Sequence, residues 1–118
     1  MSTESTITRH LNAISHGVEA IVADYDEGSV LITQDAEFRG PGEIRRFFEG
    51  FMADATPELL AAFAVTRLET HGEIGYLLWK AEPFVRLATD TFVVRNDRIF
   101  AQTFTMLAMS GPAKSKTR

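Results

Sequence analysis

Over residues 63–109 the chain runs through four β-rich segments, 63–70, 74–82, 85–95 and 98–109, with hardly a residue between them. The breaks are His71-Gly72-Glu73, Pro83 and Asn96-Asp97, each short enough for a hairpin and built from residues that favour turns. Consecutive hairpins make an antiparallel meander. A sheet of that length must bury one face, and the first half of the chain supplies the cover.

Ile7, Leu11, Ile14, Val18, Ile21 and Val22 follow the three- and four-residue rhythm of an amphipathic helix. Gly17 splits it into two pieces, the second expected to end at Tyr25, before the turn-prone Asp26-Glu27-Gly28. A strand follows over 30–33, with a short return at 37–39. Gly40-Pro41-Gly42-Glu43 then starts a third helix: proline suits the first turn, and Glu43 faces the positive end of the dipole. Ile44, Phe47, Phe48, Phe51 and Met52 give that helix one apolar face. The stripe reads as core, with at most one ring reaching a cavity. Helices first and a long antiparallel sheet afterwards is an α+β layout, with the helices packed on one face of the sheet.

The 118 residues fit one domain, spanning 1–109, and 45% hydrophobic content is enough to bury a core without disulfide or metal. There is no cysteine, which removes thiol nucleophiles and zinc–thiolate sites and favours a cytoplasmic protein. No apolar run approaches a membrane span, and the polar start MSTESTITRH does not resemble a signal peptide. A net charge of −4 argues against nucleic acid held on a broad basic face. Lys114, Lys116 and Arg118 cluster in the tail 110–118, which offers little to bury and reads as disordered. Interaction through that basic tail is a remote third reading of function.

The chemistry-bearing motifs are mostly missing. There is no GxSxG elbow, no GxxxxGK[ST] loop and no HExxH, so hydrolase, NTPase and zincin readings find no footing. His10 and His16 fall on different helix faces and His71 in a turn, so no metal site is expected. Glu19, Asp24, Asp26 and Glu27 read as a solvated face near a helix end. What remains is Asp90, a carboxylate within ATDTFVVRNDRIF, on a strand otherwise built for cover.

VEAIVADYDEGSVLIT, the helix start FRGPGEIRRFF and the closing pair DTFVVRNDRIFAQTF together resemble the SnoaL-like branch of the NTF2-like superfamily, whose members include ketosteroid isomerases and polyketide cyclases. The resemblance covers about residues 5 to 107. It implies a cone: a curved, mostly antiparallel sheet and about three N-terminal helices enclosing an apolar cavity, as a homodimer through the sheet's outer face. It also implies that Asp90 lines the cavity. Isomerases hold the matching aspartate neutral to donate a hydrogen bond to an oxyanion.

With Asp90 inward, Ala88, Phe92 and Val94 follow by alternation, while Thr89, Thr91 and Val93 face out. The family alignment adds Gln102, Phe104 and Met106 to the inward set. Thr91, Val93, Thr103 and Thr105 would then form an uncharged outer patch suited to a dimer interface. Departures from the isomerases are equally informative. Thr33 stands where they carry a general base, and Arg9 or His10 where they carry the oxyanion tyrosine.

Two readings follow. In the first, the protein is an enzyme needing no metal or organic cofactor. Asp90 is the acid/base on a small hydrophobic carbonyl or polycyclic substrate, and Tyr25, Trp79, Phe92, Gln102 and Phe104 shape the site. In the second, the cone is a non-catalytic ligand-binding or dimerisation module, and Asp90 is tied to Arg9, Arg67 or Arg86. Trp79 is itself the kind of residue more often found in a core than stacked on a ligand.

Overall fold

The structure is a computed structural model and describes residues 2–108. The element order is α1 (Thr3–Ala13), a 3-10 turn (Ile14–His16), α2 (Val18–Val22), β1 (Tyr25–Thr33), β2 (Glu37–Arg39), α3 (Gly40–Asp54), α4 (Pro57–Ala62), β3 (Ala64–His71), β4 (Ile74–Ala81), β5 (Val85–Arg95) and β6 (Arg98–Ala108). The expected tail at 110–118 lies outside the described residues, as does the expected last residue of the domain, 109.

The meander is present. The six strands lie in one curved, open sheet in the order β2-β1-β6-β5-β4-β3. Every neighbouring pair is antiparallel except β1 and β6, which run parallel. At the β5–β6 hairpin Asn96 and Asp97 take φ of 50° and 62°, the left-handed pair that a two-residue turn between twisted strands requires. Asparagine and aspartate tolerate that region better than other side-chain-bearing residues.

Helices α1 and α3 lie on the concave face. Ser2 caps α1 by accepting a hydrogen bond from the Ser5 backbone N–H at 3.0 Å. Ile7 is fully buried against β4, where Gly75 leaves room for it: a Cβ at Gly75 would overlap the Ile7 Cδ1 methyl. Thr3 ties the same helix to the β3–β4 turn through the Gly72 carbonyl. On α3, Ile44 and Phe48 are buried, and Glu43 accepts from the Arg39 backbone N–H at 2.8 Å at the helix start.

Three expectations need correction. The second helical piece stops at Val22 rather than Tyr25, because Asp24 and Tyr25 are claimed by the sheet: the Ile99 N–H donates to the Asp24 carbonyl at 2.8 Å and Tyr25 pairs with Ile99. Strand β1 therefore starts at Tyr25, with an irregularity between Tyr25 and Val30 that absorbs Asp26-Glu27-Gly28. The sequence reading also lacked α4, a short helix with Thr56 as its cap and Pro57 in its first turn.

Candidate functional site

Register across β4, β5 and β6 places the site. Leu77, Asp90 and Phe104 stand in one row, flanked by the rows Gly75–Phe92–Gln102 and Trp79–Ala88–Met106. Asp90 thus has Trp79 on one diagonal and Gln102 on the other, within reach of long side chains on the same face. Alternation along β5 matches the expected parity: Ala88, Asp90, Phe92 and Val94 are buried, while Thr89, Thr91 and Val93 are half-exposed.

Asp90 is only 6% exposed. Its Oδ1 accepts from the Trp79 indole N–H at 3.0 Å and its Oδ2 from the Gln102 amide at 2.8 Å. None of the arginines considered as partners reaches it: Arg9 is bound to Asp24, Arg67 to Glu69, and Arg86 is exposed. Burial pushes the Asp90 carboxyl up to about 6, against the two hydrogen bonds and the nearby His10, which pull it down. With no cation among the described residues at contact distance, desolvation wins.

Beyond Gln102 the polar groups continue inward. The Tyr25 hydroxyl donates to Gln102 Oε1 and lies 3.4 Å from His10 Nε2. His10 Nδ1 is 3.1 Å from Asp24 Oδ2, and Arg9 Nε donates to Asp24 Oδ1 at 2.8 Å. Asp24 is therefore no member of a solvated face, being 3% exposed. Burial works against its charge, but hydrogen bonds and charge from His10 and Arg9 outweigh it, and its carboxyl sits below the ordinary range. Glu19 does lie at the surface, paired with Arg45. Burial, helped by the charges of Asp90 and Asp24, raises the Tyr25 phenol well above its ordinary value, so it stays protonated.

A cavity of about 210 Å³ opens onto Asp90. Its buried floor is Asp90, Gln102, Leu77, Trp79, Phe92 and Phe104, with His10 and Phe48 at the sides. Its rim is Leu11, Ile14 and Ser15 from α1 and the 3-10 turn, facing Phe51 from α3, Leu59 and Leu60 from α4 and Phe63 just after it. Trp79 and Phe104 present parallel ring planes with centroids 6.2 Å apart.

Of the residues named from sequence, Asp90, Trp79, Phe92, Gln102 and Phe104 meet in this cavity. Tyr25 does not line it and stands behind Gln102 as a buried support. Two rings of the phenylalanine stripe, Phe48 and Phe51, reach the cavity rather than one at most. His10 and the α4 residues were missed. The pairing of His10 with Asp24, fourteen residues apart, left no local pattern; the Thr56-Pro57-Glu58 start was a readable signal for α4. Thr33 is spent on the β1–β2 turn, accepting from the backbone N–H groups of Asp35 and Ala36, each at 3.1 Å. Among the described residues no group of three or more His, Asp or Glu is placed to hold a metal ion.

No family model matches the sequence, and no curated protein matches it. Solved structures do match. A SnoaL-like protein of unknown function from Burkholderia thailandensis E264 superposes with a TM-score of 0.74 at 14% identity, over 89% of this chain and 94% of that one. An NTF2-like protein of unknown function from Burkholderia xenovorans LB400 gives 0.70 at 14% identity, over 98% and 92%. A protein from Sinorhizobium meliloti described provisionally as a polyketide cyclase gives 0.70 at 13%, over 85% and 93%. At such identities the likeness is one of fold, which many unrelated functions share.

Proposed function

We propose that this chain, which has the fold of the SnoaL-like and NTF2-like proteins, is an isomerase- or cyclase-type enzyme that uses Asp90 as its acid/base on a small, uncharged, largely apolar carbonyl compound. The observation carrying this reading is a carboxyl with no cation among the described residues at contact distance, buried at the floor of an apolar cavity and pushed up to about 6. A group with that value is partly ionised near neutral pH and can both take and return a proton.

Each Asp90 oxygen accepts one hydrogen bond and keeps capacity for another partner. The carboxylate is thus held in place by Trp79 and Gln102 while still able to abstract a proton beside a substrate carbonyl. Apolar walls supply binding, and the parallel faces of Trp79 and Phe104 suit a flat molecule. The cavity lies below the roughly 300–1,000 Å³ of drug-sized sites, which favours one or two rings over a larger polycycle.

A panel of small cyclic ketones and enones followed by NMR for solvent-deuterium exchange at the α-carbon tests the reading. Asp90→Asn should lower exchange by about 10²–10⁴-fold while ligand-induced shifts of the Trp79 indole persist. Unchanged exchange would end the assignment of Asp90. A second reading, a binding module without turnover, has its own support: every buried side-chain nitrogen and oxygen among the described residues already has a partner. Under that reading ligands bind and no exchange occurs.

We also propose pairing of two copies through the convex sheet face. Leu87 and Leu107, opposite each other on β5 and β6, are 47% and 52% exposed, and Thr89, Thr91, Val93, Thr103 and Thr105 continue the uncharged surface.

A further inference from the structure

We propose that His10, clamped by Asp24, is a positioning residue for Asp90, and that the two share one proton through the Tyr25–Gln102 bridge. The inference rests on reading Asp90 as the acid/base of the cavity.

The hydrogens along this buried row can be counted. The Asp24 carboxylate takes the hydrogen of His10 Nδ1, at 3.1 Å. Tyr25 has a single hydroxyl hydrogen, given to Gln102 Oε1, so it turns a lone pair toward His10 Nε2. The row is complete only when Nε2 also carries a hydrogen, which makes His10 an imidazolium. In that state Gln102 points its N–H at Asp90 Oδ2 and serves a carboxylate.

Removing the Nε2 hydrogen reverses the row. His10 Nε2 becomes an acceptor and takes the Tyr25 hydrogen, Gln102 turns its amide to donate to Tyr25, and its carbonyl then faces Asp90. A carbonyl in that place is satisfied by a protonated Asp90 donating its O–H. Both arrangements hold the same number of protons and break no bond between heavy atoms. A proton gained at Asp90 from solvent or substrate is matched by one that His10 Nε2 releases to solvent in the cavity, which both residues line, while Tyr25 and Gln102 only turn their hydrogen bonds and carry no proton across.

Asp24 holds Nδ1 of His10, which leaves Nε2 to the row that ends at Asp90. Among the described residues the charged and titratable neighbours of His10 are Asp24 from the α2–β1 junction, Arg9 from α1 bound to that same carboxylate, Tyr25 from β1, and Asp90 from β5. The side chains that α3, β4 and β6 present at the cavity are Phe48, Phe51, Leu77, Trp79, Gln102 and Phe104, none charged.

The test is a carboxyl-carbon NMR titration of Asp90 in the full chain, for the natural sequence, Tyr25→Phe and Gln102→Met. Coupled sites titrate in two steps, so the natural protein should give a two-step curve separated by about one pH unit or more. Tyr25→Phe keeps the ring and deletes the bridging oxygen, and should reduce the curve to one step. Gln102→Met breaks the same bridge nearer Asp90 and should do likewise, which covers the case in which one variant fails to fold. A single-step curve in the natural protein, or a two-step curve that survives both changes, overturns the proposal. Two steps together with unchanged α-carbon exchange in Asp90→Asn would instead retain the coupling and remove the catalytic role.

Discussion

At Asp90 the fold accepts an unfavourable charge. Its carboxyl rises from 3.8 to about 6 on folding, so between those values the folded chain holds the proton more tightly than the unfolded chain does. Stability from this group is therefore greatest below pH 4 and falls as pH rises to about 6, by up to about 3 kcal/mol. Asp90→Asn should make the protein more stable at pH 7.5, by about 1–3 kcal/mol in urea unfolding, with the gain closing near pH 4. A less stable variant at pH 7.5 would mean that the carboxylate is a structural partner. Asp24 has the opposite sign: its carboxyl is held below 3.8, so its contribution is present above that value and is lost as pH falls through the folded one. Gly75 tests packing rather than charge. Gly75→Ala would force a methyl against the fully buried Ile7, and should cost about 1–3 kcal/mol with little change in the cavity. Equal unfolding midpoints would mean that α1 shifts freely on β4.

Among the elements, the strands were the most legible. With Asp90 set inward by the family likeness, alternation puts Phe92 on the same face, because a period of two leaves each residue one of two sides, and the family alignment adds Gln102. Helix ends were less so. Val18 to Tyr25 reads as one apolar rhythm, yet pairing with β6 removes Asp24 and Tyr25 from the helix, and a tertiary contact of that kind leaves no local trace. The same holds for the site. The floor followed from parity and from likeness to a known family, whereas the His10–Asp24 pair joins α1 to the α2–β1 junction and becomes visible only when the chain folds back. Helix α4 has just six residues, and its cap signal is stronger than its periodicity. Since Leu59, Leu60 and Phe63 edge the cavity, Thr56→Ala should cost about 1 kcal/mol of local stability. Hydrogen exchange should speed up in α4 alone; faster exchange in α3 as well would show that the two helices open together.

For the whole molecule, the helices among the described residues cover one sheet face and leave the other bare, and over β5 and β6 the bare face is apolar and threonine-rich. Pairing through it would leave both cavities, on the concave faces, open to solvent. Sedimentation at micromolar concentration should therefore give a dimer, and Thr103→Arg, outward and exposed on β6, should give a folded monomer. A natural protein that stays monomeric at those concentrations would remove the proposed interface without touching the cavity.

The central claim is that this fold keeps the Asp90 carboxyl dry at the floor of its cavity, with no cationic partner among the described residues at contact distance. The midpoint of the Asp90 carboxyl-carbon titration, assigned with Asp90→Asn, tests it most directly. The account predicts a principal midpoint near 6. A midpoint at or below the ordinary value of about 3.9 would contradict it, because the carboxyl would then be solvated or paired and unable to serve as the acid/base of the cavity.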